Sequence, residues 1–163
     1  MTRIAIIIAG ADDHADRAVA EWLTGRIHAR GDDTEVDLLD LGAACLPDPP
    51  SGRLPTPPAV HDLLPWLGAA NGFLLVLHGR PPDRLRRAVS WCARCWKAKP
   101  VGLVRYGGSP PAEAEVRSLL GAVEAVTVGE AVRFTGRDRT GRTDLLLDEL
   151  ISRAREIPDT PWS

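Results

Sequence analysis

Leu77-His-Gly-Arg-Pro-Pro82 brings together two side chains with complementary chemistry, His78 and Arg80. An imidazole titrates near neutrality and can move a proton, while a guanidinium pairs with carboxylate or phosphate. These two are the candidate catalytic residues; a structural or solvent-facing role is the alternative. Arg105 and Tyr106 form a second polar pair at the end of an apolar run, where both would face the same cleft. Asp12, Asp13, His14 and Asp16 cluster densely enough to suggest a divalent cation. Carboxylates at the start of a helix also cap free N–H groups and complement the helix dipole, so a solvated capping turn is expected there and no metal site. Cys92-Ala-Arg-Cys95 would place two thiols on one helical face, as redox or metal chemistry requires. Trp91 and Trp96 flank them, and buried free cysteines commonly serve as small packing residues, which is the role expected here. The chain has no G-x-S-x-G elbow, Walker A sequence or Rossmann G-x-G-x-x-G.

Positioning these groups falls to an ordinary globular chain. Its 163 residues, 44% hydrophobic and 26% charged, predict one domain over residues 1–163. With 20 Lys and Arg against 22 Asp and Glu, the net charge of −2 gives no electrostatic case for nucleic acid. The N-terminal apolar run is too short for a membrane span and lacks a cleavage pattern, and Cys45, Cys92 and Cys95 are too few for a disulfide scaffold. A cytoplasmic protein acting on a small molecule, with no membrane or nucleic-acid partner, is therefore expected.

Continuous apolar runs predict strands over 3–9, 35–41, 72–77, 100–105 and 123–134, the last irregular at Gly129. Helical spacing predicts helices over 15–30, 59–70, 83–97, 112–120 and 143–156. A proline-rich loop spans about 46–58 and a tail about 157–163. Strands alternating with helices imply a doubly wound α/β fold, in which ligands sit beyond the carboxyl ends of the strands. That places the candidate site in the loops over 10–16, 78–82 and 106–111.

Arg17-Ala-Val-Ala-Glu-Trp22, Pro82-Asp-Arg-Leu-Arg-Arg-Ala-Val-Ser-Trp91 and Lys99-Pro-Val-Gly-Leu-Val-Arg-Tyr-Gly-Gly108 stand in the order and on the elements of comparable blocks in another family. By these blocks the chain resembles the NAD(P)H-dependent FMN reductases over roughly residues 3–135. The resemblance implies a flavodoxin-like five-stranded parallel sheet of order 2-1-3-4-5 with helices on both faces. It also implies FMN and NAD(P)H as cofactors, electron transfer to a small acceptor, and a homodimer formed in part by the helix of Arg84, Arg86 and Arg87; a solvated face is the expected place of these arginines, and pairing of some of them across the interface is the alternative. Carried onto this sequence, the cofactor-binding positions are Gly10, Ala11, Asp12, Asp13, His14 and Arg17, then Gly79, Pro81 and Pro82, then Tyr106, Gly107, Gly108 and Ser109. The rim departs from the family pattern. The phosphate loop, usually G-S-x-R, is here Gly10-Ala-Asp-Asp, without the hydroxyl or the arginine, and the loop after strand three lacks the usual P-E-Y-N. Tyr106-Gly-Gly108 is the best-kept flavin element. A degenerate FMN site is the first reading; an FMN-independent enzyme of a specialised biosynthetic pathway using His78 and Arg80, and a non-catalytic dimerisation subunit, are the alternatives.

Overall fold

Apolar runs that are buried on both faces need neighbours on either side, and three of them form the middle of the sheet. A computed structural model describes residues 1–9, 13–48, 56–106, 110–134 and 139–159, with the backbone alone for Asp13, His14 and Pro110. Strands β1 (Thr2–Ile8), β2 (Thr34–Asp40), β3 (Gly72–Leu77) and β4 (Pro100–Arg105) run parallel in the order β2-β1-β3-β4. Beyond β4 lie two short pieces, β5 (Val126–Thr127) and β6 (Val132–Arg133), both paired to it. The helices are α1 (Asp13–His28), α2 (Leu41–Ala44), α3 (Pro58–Ala69), α4 (Asp83–Trp91), α5 (Ala93–Trp96), α6 (Pro110–Ala122) and α7 (Arg139–Arg155). This is the flavodoxin-like order that the resemblance implies.

Alternation along each strand divides the apolar side chains between two cores. Ile4, Ile6 and Ile8 of β1 pack with Leu74, Val76 and Val104 under α1 and α7. Ala5, Ile7 and Ala9 pack with Phe73, Leu75 and Leu77 under α3, α4, α5 and α6. Gly102 makes the α7 face possible, because a Cβ there would stand 3.0 Å from Leu74 and 3.4 Å from Leu146.

Three elements differ from expectation. The single strand predicted over 123–134 is two pieces, since Gly129 adopts φ +60 and turns the chain away from β4 before pairing resumes at Val132. The helix predicted over 83–97 breaks at Cys92, whose φ of −112 and ψ of 30 leave the helical region. Just past that break, Trp96 lies fully buried with its ring tilted on Phe73, centroids 4.4 Å apart. The third is α2, started by Asp40, whose carboxylate accepts from the Gly42 and Ala43 N–H groups at 2.9 and 3.3 Å.

Cys92 and Cys95 are both buried in the α3 to α6 core. Burial, reinforced by Cys95, pushes the Cys92 thiol up to about 12, and burial likewise raises Cys95 against the pull of the Lys99 ammonium. Lys99 itself closes the end of α3, donating to the Leu67 and Gly68 carbonyls at 3.0 and 3.1 Å, and burial pushes it down. Among the described residues no helix is long and apolar enough to cross a membrane, and no three His, Cys, Asp or Glu side chains converge as a metal site.

Thiols held protonated and out of solvent do not react as nucleophiles. A disulfide reagent at pH 8 is therefore expected to label only the exposed Cys45 in the native protein, and all three cysteines once urea unfolds it. Rapid native labelling of Cys92 or Cys95 would contradict this packing role.

Candidate functional site

The register of β3 on β4 pairs Leu77 with Arg105, so the chain leaves the two strands side by side at His78 and Tyr106. The Tyr106 N–H donates to the Leu77 carbonyl at 3.0 Å and holds the two exits together. Their rings stack, with centroids 4.9 Å apart and planes inclined by 23°. The stack is partly open to solvent.

Neighbouring residues of a strand point to opposite faces, and this separates the pair that the sequence places in one cleft. Tyr106 goes with Val104 to the α1 and α7 face. Arg105 goes the other way, its side chain only 11% exposed and its Nε 3.7 Å from Glu113 of α6. Only Tyr106 joins His78.

From α1 comes a third group, one whose letters suggest a solvated cap. Asp16 is fully buried, and the Tyr106 hydroxyl donates to its Oδ1. The reason is helical spacing: Val19, Ala20, Leu23 and Ile27 form the buried stripe of α1, and Asp16 is the same stripe's first member. That spacing was the available signal. Asp16, Tyr106 and His78 thus tie together the connections after β1, β4 and β3.

The remaining candidates sit around this centre with their charges already engaged. Arg17 is exposed, its Nη2 3.5 Å from Asp40 Oδ2. Arg80 is 80% exposed and reaches Glu115 at 3.0 Å, while Arg86 takes the other oxygen of that carboxylate at 3.4 Å. Arg87 holds Asp48 at 2.7 Å, so these α4 arginines find partners within the chain. Gly79 has φ +71 and open space where a side chain would stand. Pro81 is buried, and Pro82 precedes α4 in extended conformation. Gly10, Ala11, Asp12, Gly107, Gly108 and Ser109 lie outside the described residues, as do the side chains of Asp13 and His14.

Chemically, the arrangement offers a flat pair of rings for a planar ligand, a buried carboxylate that fixes one of them, and an exposed guanidinium on the loop beside them. Residues 2–139 match the family model described as NADPH-dependent FMN reductase. No curated protein matches the sequence. Solved structures match its fold: an oxidoreductase from Corynebacterium diphtheriae is 19% identical with a TM-score of 0.70, over 96% of this chain and 98% of that one. An NADH:FMN oxidoreductase in its apo form is 13% identical with a TM-score of 0.72, over 99% and 92%. General stress protein 14 from Treponema denticola, in complex with FMN, is 9% identical with a TM-score of 0.56, over 97% and 100%.

A hydrogen bond to a buried carboxylate contributes about 1.5–3 kcal/mol, so Tyr106→Phe should lower unfolding stability by that amount in urea denaturation. A loss below about 0.5 kcal/mol would show that the contact carries no energy.

Proposed function

Because this chain belongs to the NADPH-dependent FMN reductase family, we propose that it is a flavin-dependent oxidoreductase that accepts a hydride from NAD(P)H and passes electrons to a small-molecule acceptor. The observation that carries this reading is the convergence of three strand-end connections on one flat aromatic pair, His78 on Tyr106, at the carboxyl edge where doubly wound sheets take their ligands. The FMN complex of the Treponema denticola protein, on the same fold, supports it.

The described residues fit one half of such a cofactor. His78 and Tyr106, stacked on each other, would offer an outer face of the pair to an isoalloxazine, and Gly79 leaves room for a close backbone approach. Among the described residues the other half is not matched: the first turn of α1 carries the buried carboxyl group of Asp16, and Arg17 is exposed and turned toward Asp40. The site departs from the family pattern at both ends: the loop after β3 has His78 and Arg80 in place of P-E-Y-N, and the start of α1 lacks the usual hydroxyl and arginine.

When bound, the flavin supplies two-electron redox chemistry that no side chain here offers. His78 would shield one side of the ring from water, Tyr106 would be held in place through Asp16, and Arg80, held by Glu115, would draw the phosphates of the dinucleotide.

Titrating the purified protein with FMN and with riboflavin should produce a yellow, thermally stabilised complex that oxidises NAD(P)H. A protein that stays colourless, gains no stability from either flavin and leaves NAD(P)H intact would overturn the reading. In the active complex, Arg80→Ala should raise the KM for NAD(P)H by about threefold to tenfold while kcat stays within about twofold, because a removed binding contact appears in KM. An unchanged KM would release Arg80 from this role.

A further inference from the structure

Gly129 turns the chain away from β4 with φ +60, and pairing resumes only at Val132. The detour leaves a notch of about 430 Å³ between this bend and α7, within the size range of small-ligand sites. Its apolar lining is Ala131, Val132, Leu145 and Leu146. Val132 and Leu146 are buried, whereas Leu145 is 70% exposed and offers apolar surface that a ligand would remove from water. Two carboxylates share the lining. Glu149 lies against the bend, where a Cβ on Gly129 would stand 3.1 Å from its Oε2. Its Oε1 is 3.5 Å from Arg153, one turn on, in a pair open to water and therefore weak. Glu130 is exposed and, among the described residues, pairs with no cation. Against these carboxylates the lining holds one guanidinium, that of Arg142, so acid exceeds base by one. Arg117, which donates to the Gly129 carbonyl at 3.3 Å, is itself paired with Glu113 at 3.0 Å.

We infer that the notch is a second ligand site, distinct from the aromatic pair at the strand exits, and that it takes a small organic cation, an ammonium group on a compact apolar body. The ammonium donates to Glu130 and to Glu149 Oε2, while the body covers Leu145 and Leu146. A carboxylate beside apolar atoms attracts a cation more strongly than one in open water, since less solvent screens it. An anion would meet the excess acid, and a neutral ligand would leave that acid unpaired. A divalent metal is a poorer match, because calcium takes about six to eight oxygens and, among the described residues, no third His, Cys, Asp or Glu joins the two. The notch shares no residue with the group formed by His78, Tyr106 and Asp16; Val132 pairs with Val104, two residues before Tyr106. Its occupancy therefore does not depend on whether a flavin binds.

Calorimetric titration of the full chain with phenethylamine, phenethyl alcohol and hydrocinnamate presents one apolar body with three charges. Wild type should bind the amine at least about threefold more tightly than the alcohol and the acid least of all, with the amine's affinity falling as salt is added. Glu130→Gln, at an exposed position, should weaken the amine by about threefold and barely move the alcohol. Leu145→Ser should weaken amine and alcohol alike, because it removes surface that both cover. No measurable binding of the amine, an alcohol bound as tightly, or an amine affinity untouched by both Glu130→Gln and Glu149→Gln overturns the inference. So does displacement of the amine by FMN, which would place it on the aromatic pair; failure of FMN to bind counts against the flavin reading alone. A Leu145→Ser variant that changes the sedimentation of the chain would assign the notch to a second copy and likewise overturn the ligand site. The three ligands on wild type, with their salt dependence, decide the matter even where a variant does not fold.

Discussion

Parallel pairing of β3 with β4, in the register that sets Leu77 opposite Arg105, decides where every group at the carboxyl edge stands. A slip by one residue would send Tyr106 toward α6 and bring the Arg105 guanidinium against α1, exchanging an aromatic platform for a charge. What prevents the slip is the core. The side chains of β3 are buried on both faces, and Gly102 is the one position in β4 that leaves Leu74 and Leu146 room to meet. The cleft therefore inherits its geometry from packing well below it.

Much of this frame was legible in the residues. The bounds of β3 and β4 agree with the structure because both are short, uninterrupted apolar runs with clear ends, and a strand covered on both faces admits little else. The edge beyond β4 was less so: the apolar letters of 123–134 continue through Gly129, and only its positive φ reveals that pairing stops and restarts. The break at Cys92 has no proline or glycine to announce it. At the site, two polar positions are set by phase and not by residue type. Arg105 and Tyr106 are adjacent in a strand and so must diverge, while Asp16 shares the helical phase of Val19, Ala20 and Leu23 and so must be buried. Aspartates near a helix start favour caps by residue type, and at Asp16 the phase of the stripe prevails.

Charge around the cleft is arranged in two ways that differ in strength. Arg80 and Arg86 on Glu115, Arg87 on Asp48 and Arg17 on Asp40 are pairs with at least one largely solvent-exposed member. Such pairs contribute about 0–1 kcal/mol each, so their service is to hold long side chains in a chosen direction. The carboxyl group of Asp16 is different in kind, since it lies inside the protein and accepts from the Tyr106 hydroxyl. The rim and the interior of the cleft are thus held by separate sets of residues.

The turn at Gly129 also bears on what the sheet offers to other chains. An open sheet presents unpaired N–H and C=O groups along its outer strands, a template on which a foreign strand can grow. Here the β4 side ends in two pieces of two residues each, bent apart, and so gives an incoming strand too short a ladder to follow. The opposite border is the seven-residue β2, and it carries Glu35, Asp37 and Asp40, two of them held by Arg3. An incoming segment would have to align against carboxylates there and would find no continuous rail on the other side, so the sheet resists runaway extension into aggregates.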